Sequence, residues 1–195
     1  NNINLIFHTA AYKHVTMLED NIKSAINNNI FGTYNILKAA NKNLANLILI
    51  STDKAVKPKN ILGYTKRISE IICELFNDNK IDIKIVRFGN VFGSNGSAVP
   101  LFLKQLNNNL PISLTSYDAK RFFMTIREAC YLVLECTRLN DKNNLYVLNM
   151  GTELRIYDLI NNLSEIYKKF NPEIKKTNIN LIGLKKGEKL SEELF

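Results

Sequence analysis

What the chain lacks narrows it quickly. No stretch approaches the roughly 18 apolar residues that a membrane-spanning helix needs, and no charged-then-apolar leader opens it, so a soluble protein with no membrane segment of its own is expected. Histidine is nearly absent, only His8 and His14, which argues against a metal centre. The three cysteines, Cys73, Cys130 and Cys136, are odd in number and have no C-x-x-C spacing. They lie in apolar, helix-like surroundings, so reduced, buried thiols and a cytoplasmic setting are expected. Acid is scarcer than base: 26 Lys and Arg face 18 Asp and Glu, a formal charge of +8. The lysines are dispersed and no nucleic-acid reading motif accompanies them, so the excess suits solvated surface and an anionic small molecule better than a nucleic acid. Most telling is the missing G-x-G-x-x-G turn, the strand-to-helix device that seats a pyrophosphate.

Apolar runs and helical periods alternate through the first half. Leu5 to His8 read as a strand, followed by the small pair Ala10 and Ala11 and one helix through Ala25, Ile26, Ile30, Tyr34, Leu37 and Ala40. A strand at Leu47 to Ile50 follows, then a Pro58 loop, then a helix whose apolar positions Ile61, Tyr64, Ile68, Ile71, Ile72 and Leu75 share a face. A third strand runs from Ile83 to Val86. This β-α-β-α-β order predicts a parallel sheet with helices on its faces. Beyond it come a glycine-rich loop from Gly89 to Ser97, a helix from Leu101 to Leu106 and a strand at Ile112 to Leu114. Then follow a helix from Ile126 to Leu139, a strand at Leu145 to Leu148, a helix from Ile156 to Phe170 and a basic turn at Lys185 to Lys189. The expected fold is α/β, part of a Rossmann-type doubly wound parallel sheet over residues 1–92, with a smaller substrate-binding subdomain over 93–195 that returns some segments to the sheet.

Ser51-Thr52-Asp53-Lys54 carries the chemistry. These residues fall just past the Leu47 to Ile50 strand, where open α/β sheets hold their ligands. An alcohol, a carboxylate and an amine side by side can hydrogen-bond, donate a proton and accept one, while Lys66 on the next helix adds fixed positive charge. Such a set fits carbonyl and alcohol chemistry on a sugar. Ala10 and Ala11 are small enough to let a cofactor approach the backbone, and the Gly89 to Ser97 loop can bend closely around a ligand.

Seven segments, in order and spanning nearly the whole chain, carry a specific resemblance. They are His8-Thr9-Ala10-Ala11-Tyr12-Lys13-His14-Val15, Asn29-Ile30-Phe31-Gly32-Thr33, Ser51-Thr52-Asp53-Lys54-Ala55-Val56, Arg87-Phe88-Gly89-Asn90-Val91, Gly93-Ser94-Asn95-Gly96-Ser97, Arg121-Phe122-Phe123-Met124-Thr125-Ile126 and Gly187-Glu188-Lys189-Leu190. Together they resemble the UDP-N-acetylglucosamine 4,6-dehydratases of polysaccharide biosynthesis, within the extended short-chain dehydrogenases/reductases. The resemblance implies bound NAD, with NADP as the alternative, and a UDP-sugar substrate that loses water across C5 and C6 after oxidation at C4. It assigns Asp53 as acid and Lys54 as base, Thr52 to the sugar 4-hydroxyl and Lys66 to the nicotinamide ribose. Ala10, Ala11 and Asn29 fall on the cofactor side. Lys13, Asn90, Arg121, Lys185 and Glu188 fall on the substrate side, with Arg121 and Lys185 placed for the diphosphate. A homo-oligomer is the expected assembly.

Three departures qualify the resemblance. The superfamily's catalytic tyrosine precedes the helix lysine by four residues, and Leu62 stands there. Tyr64 is two residues before Lys66, and at about 100° per residue it points elsewhere. At Lys185 the family commonly has arginine. The missing glycine-rich turn leads to the expectation that the chain enters a sheet in its middle, as the later part or one piece of a longer protein, with an upstream membrane anchor left open, and that alone it binds NAD poorly. A UDP-sugar epimerase or reductase, or a catalytically silent nucleotide-sugar-binding module, are the competing readings. Adjacent Asp53 and Lys54 favour elimination, because C4 epimerisation needs no separate acid and base at C5 and C6.

Overall fold

The computed structural model describes residues 3–76, 80–140, 144–173 and 177–195. The chain opens with β1 (Leu5–His8), then the short helices α1 (Val15–Asp20) and α2 (Ile22–Ala25), a π-helical stretch Ile26–Phe31, and α3 (Gly32–Lys42). β2 (Asn46–Ile50), a 3₁₀ turn Asp53–Ala55, α4 (Ile61–Leu75), β3 (Ile83–Arg87) and β4 (Asn90–Val91) complete the first half. The second half runs α5 (Ala98–Asn107), β5 (Ile112–Leu114), β6 (Lys120–Arg121), β7 (Phe123–Met124), α6 (Ile126–Arg138), β8 (Leu145–Val147), β9 (Leu154–Arg155), α7 (Ile156–Phe170) and β10 (Ile179–Leu181).

The central sheet has the order β1-β2-β3-β8 and every pairing is parallel. Both faces are covered, which is why its strands read as continuous apolar runs rather than as alternation. Leu47, Leu49, Ile83 and Ile85 pack with Leu37, Ala40 and Cys73 on one side. Ile48 and Val86 pack with Ala129, Val133, Cys136 and Leu148 on the other. A separate core of Phe102, Leu106, Ile112, Leu114, Ile156 and Ile160 holds the later segments together. There β10 pairs with β5 in parallel, a pairing that a three-residue run does not announce. The parallel α/β architecture thus agrees with the sequence pattern.

Four local differences have physical causes. The helix expected through Ala25 to Ala40 runs through a π turn at Ile26–Phe31 before α3, and a separate α1 precedes it, ending at Asn21, whose side chain donates to the Met17 carbonyl. At that turn the Asn29 carbonyl accepts from the Thr33 and Ser69 hydroxyls at 2.6 and 2.8 Å, so side chains intrude into the backbone ladder. α5 starts at Ala98 rather than Leu101, because proline is tolerated in a first turn. Cys130 is exposed, unlike Cys73 and Cys136: it lies one residue, about 100°, from Ala129 and off the buried face of α6. The largest difference is in α4, which turns its polar side inward. Leu62, Lys66, Ser69, Glu70 and Cys73 are buried, while Tyr64, Ile68, Ile71 and Leu75 remain 50, 41, 39 and 80% exposed.

Candidate active site

β2 delivers its chain end to the floor of a cavity of about 590 Å³, in the range of small-molecule sites. Its lining includes Thr52, Lys54, Leu62, Lys66, Asn90 and Glu192. Thr52 caps the 3₁₀ turn, its hydroxyl accepting from the Lys54 amide at 3.4 Å while donating to Asp53 Oδ1 at 2.7 Å. Lys54 Nζ donates to the same Oδ1 at 2.9 Å and to Asn90 Oδ1 at 3.3 Å. Asp53 itself is fully buried and does not line the cavity; it reaches the surface through Thr52 and Lys54. Its second oxygen, Oδ2, makes no hydrogen bond among the described residues. That oxygen faces Gly89, where a Cβ would come to 3.0 Å, so glycine keeps the space beside it. Two carboxylates flank Lys54 Nζ, Asp53 Oδ1 at 2.9 Å and Glu192 Oε1 at 3.9 Å.

α4 is pressed against this turn. A Cβ on Gly63 would overlap the Lys54 carbonyl and come to 3.0 Å from Pro58, so only glycine allows the close approach. Asn60 caps the helix by accepting from the Gly63 amide at 2.8 Å. This seats Leu62 on the cavity and Lys66 beneath it, while Tyr64 stands on the outer face. Lys66 Nζ donates to the Ile50 carbonyl at 2.5 Å. Burial lowers its pKa to about 8, against opposing contributions from Glu70 and Cys73.

One turn along, Glu70 accepts from Ser51 at 2.5 Å, from Arg87 Nε and Nη2 at 2.8 and 2.6 Å, and from Arg67 at 3.0 Å. Burial alone would raise this carboxyl's pKa, and the hydrogen bonds from Arg87, Ser51 and Arg67 outweigh it and lower it. On the other side of Lys66, His8 Nε2 meets the Thr33 hydroxyl at 3.0 Å. Thr33 gives its own proton to the Asn29 carbonyl, so His8 carries its hydrogen on Nε2. Burial, then the Lys66 charge, lowers the histidine pKa.

The remaining sequence candidates divide. Ala11, Lys13, Asn90, Arg121, Lys185 and Glu188 line the cavity with Thr52, Lys54 and Lys66, whereas Ala10 and Asn29 do not. Asn29 is buried and fully engaged, accepting from the Tyr12 amide at 2.8 Å and donating to the Tyr12 carbonyl and Thr65 at 3.0 Å. It thereby holds the loop after β1. Arg121 spends its guanidinium on the Lys120, Lys189 and Leu190 carbonyls and on Glu188 at 3.2 Å. Lys13 reaches Ser94 at 3.5 Å. Sequence reasoning missed Glu70, Arg87 and Glu192. The available signal for the first two was a charged residue at the end of a buried strand and another in helical phase with Leu62 and Cys73. No group of three or more metal-ligating side chains occurs among the described residues, and none of their helices is long and apolar enough to cross a membrane.

A parallel sheet whose second strand leads through Ser51 into a Thr52-Asp53-Lys54 turn, with a lysine from the following helix beneath it, has a Rossmann-type short-chain dehydrogenase/reductase architecture. The chain belongs to the polysaccharide biosynthesis protein family, whose model matches residues 1–195. It is 42% identical to the capsular polysaccharide biosynthesis protein CapD of Staphylococcus aureus over 97% of this chain and 32% of that protein. It is also 32% identical to a UDP-glucose 4-epimerase of Rickettsia rickettsii, over 98% of this chain and 56% of the other. Among solved structures, Pen from Bacillus thuringiensis superposes with a TM-score of 0.93 at 35% identity, covering 99% of this chain and 60% of Pen. DesIV of Streptomyces venezuelae, a dTDP-glucose 4,6-dehydratase holding NAD, shares the fold at 18% identity with a TM-score of 0.86, over 98% of this chain and 64% of DesIV. The chain thus spans about a third of CapD's length and three-fifths of Pen's.

Proposed function

We propose that this chain supplies the catalytic segment and sugar-nucleotide pocket of an NAD-dependent UDP-N-acetylhexosamine 4,6-dehydratase, acting in the cytoplasm for surface polysaccharide or glycan synthesis. The observation that carries this reading is the buried Asp53 carboxylate joined at once to the Thr52 hydroxyl and to Lys54 Nζ just past the end of β2. Lys66, a buried cation lining the same cavity, and the small Ala11 fit a nicotinamide nucleotide there. When bound, NAD would accept a hydride from sugar C4 and return it at C6.

The chain's own groups then account for the protons. Leu62 cannot take the 4-hydroxyl proton. Thr52 can, passing its own proton across 2.7 Å to Asp53. The resulting 4-ketone acidifies C5. Lys54, as its amine, takes the C5 proton; the pair from the C5–H bond enters the ketone as an enolate and then expels the C6 hydroxyl. That hydroxyl leaves as water with the proton Asp53 had gained, returned through Thr52, and once C6 has taken up hydride the Lys54 ammonium gives its proton back to C5, which restores the amine. Lys66 holds positive charge near the developing alkoxide.

The exposed stripe of Tyr64, Ile68, Ile71 and Leu75 on α4 supports a homo-oligomer assembled through that face. C4 epimerisation is the second reading, supported by the epimerase relative. Mass analysis of the product that the full-length protein makes from UDP-N-acetylglucosamine separates the two. Dehydration gives a keto sugar lighter by one water, whereas an isomer of unchanged mass overturns the reading. Binding of the UDP-sugar without turnover would leave only a silent binding module.

A further inference from the structure

The segment after α7 and β10 lies across the catalytic turn. Asn60 donates to the Gly187 carbonyl at 2.8 Å, Lys189 Nζ to the Val56 carbonyl at 3.0 Å, and Leu194 is buried in the core beside Val86 and Leu148. This path carries Glu192 into the cavity wall. Its carboxylate is buried, with Oε1 3.9 Å from Lys54 Nζ and Oε2 3.4 Å from Lys189 Nζ.

Glu192 differs from a structural buried carboxylate. Glu70 has every acceptor direction filled, as satisfied interiors require. Glu192 Oε2 makes no hydrogen bond among the described residues. An ionised carboxylate buried on those terms is costly, and a pair of lysines does not remove that cost without good hydrogen bonds. Lys54 is thus flanked by Asp53 on its own turn and Glu192 on the crossing segment, with Asn90 as its third neighbour.

We propose that Glu192 is a positioning residue for Lys54: its carboxylate holds the side chain toward the sugar and stabilises the ammonium formed when Lys54 takes the C5 proton. This rests on the dehydratase reading. Glu192 exchanges no proton in the step. It balances the positive charge that appears on Lys54 while Asp53 is occupied with the C6 hydroxyl, and Lys189 keeps it from swinging away.

The test compares wild type, Glu192→Gln and Glu192→Asp in the full-length protein with UDP-N-acetylglucosamine, measuring kcat, KM and deuterium uptake from heavy water at C5 of the keto product. Expected is a fall in kcat of about 10- to 100-fold for Glu192→Gln, with KM within about threefold. C5 exchange should slow by the same factor, and Glu192→Asp should recover most of the rate. Urea unfolding of each variant identifies a loss that comes from misfolding, and if Glu192→Gln does not fold, the wild-type against Glu192→Asp comparison of C5 exchange decides. A Glu192→Gln enzyme within twofold of wild type, an effect on KM alone, or no recovery in Glu192→Asp overturns the role of Glu192 while leaving the dehydratase reading intact. A wild type that yields an isomer of unchanged mass overturns the dehydratase reading itself.

Discussion

Two buried carboxylates, Glu70 and Asp53, sit on either side of the β2 terminus and are treated in opposite ways. Glu70 is saturated by Arg87, Arg67 and Ser51. Asp53 has one oxygen shared by Thr52 and Lys54 and the other without a hydrogen bond among the described residues. A saturated carboxylate has no capacity left for a proton in transit, so Glu70 fastens β2, β3 and α4 together. An unsaturated one costs stability and gains reactivity, which is the usual compromise at a reacting centre.

The contrast can be broken from the structural side first. Glu70→Ala leaves Arg87 buried without its carboxylate and should cost about 3–5 kcal/mol in urea unfolding; a cost below about 1 kcal/mol would show that Glu70 fastens nothing. Gly63→Ala forces a methyl into the Lys54 carbonyl and should cost about 1–3 kcal/mol, together with activity, because the turn that carries Lys54 must move.

Lys66 sharpens the comparison through pH. With its pKa lowered to about 8, raising the pH past that value removes its charge, and activity should fall about tenfold per pH unit. Stability should move the other way. The unfolded chain binds the extra proton between about 8 and the ordinary 10.5, so wild type should gain stability relative to Lys66→Met as pH rises through that window. A flat difference between the two across it would remove the argument that Lys66 is buried at a cost. The smallest effect belongs to Leu62, which packs on Leu18 and Ala25. Leu62→Met should change stability by less than about 1.5 kcal/mol and kcat by less than about threefold, since no proton passes through that position.

The sheet was legible from sequence because strands buried on both faces must be apolar throughout, and the segment bounds of α4 and α7 follow from their helical periods. The orientation of α4 was not. Its most apolar face, Tyr64 to Leu75, looks like the core side, yet Lys66, Ser69 and Glu70 turn inward because their partners lie there: the Ile50 carbonyl for Lys66, the Asn29 carbonyl for Ser69, and Ser51 and Arg87 for Glu70. Periodicity reports that a face exists, not which neighbour it meets. In the site, Thr52, Asp53, Lys54 and Lys66 were readable because strand end and following helix are close in sequence. Glu192 was not, being separated from Lys54 by most of the chain and lying two residues beyond the Gly187 to Leu190 motif.

The central claim is that Asp53 is spent on chemistry rather than on the fold. The most direct measurement is kcat of Asp53→Asn in the full-length protein with UDP-N-acetylglucosamine, alongside its unfolding midpoint. The account predicts a fall of at least about 100-fold with the midpoint essentially unchanged. Retained turnover, or lost turnover matched by a collapse of stability like that expected for Glu70→Ala, would contradict it.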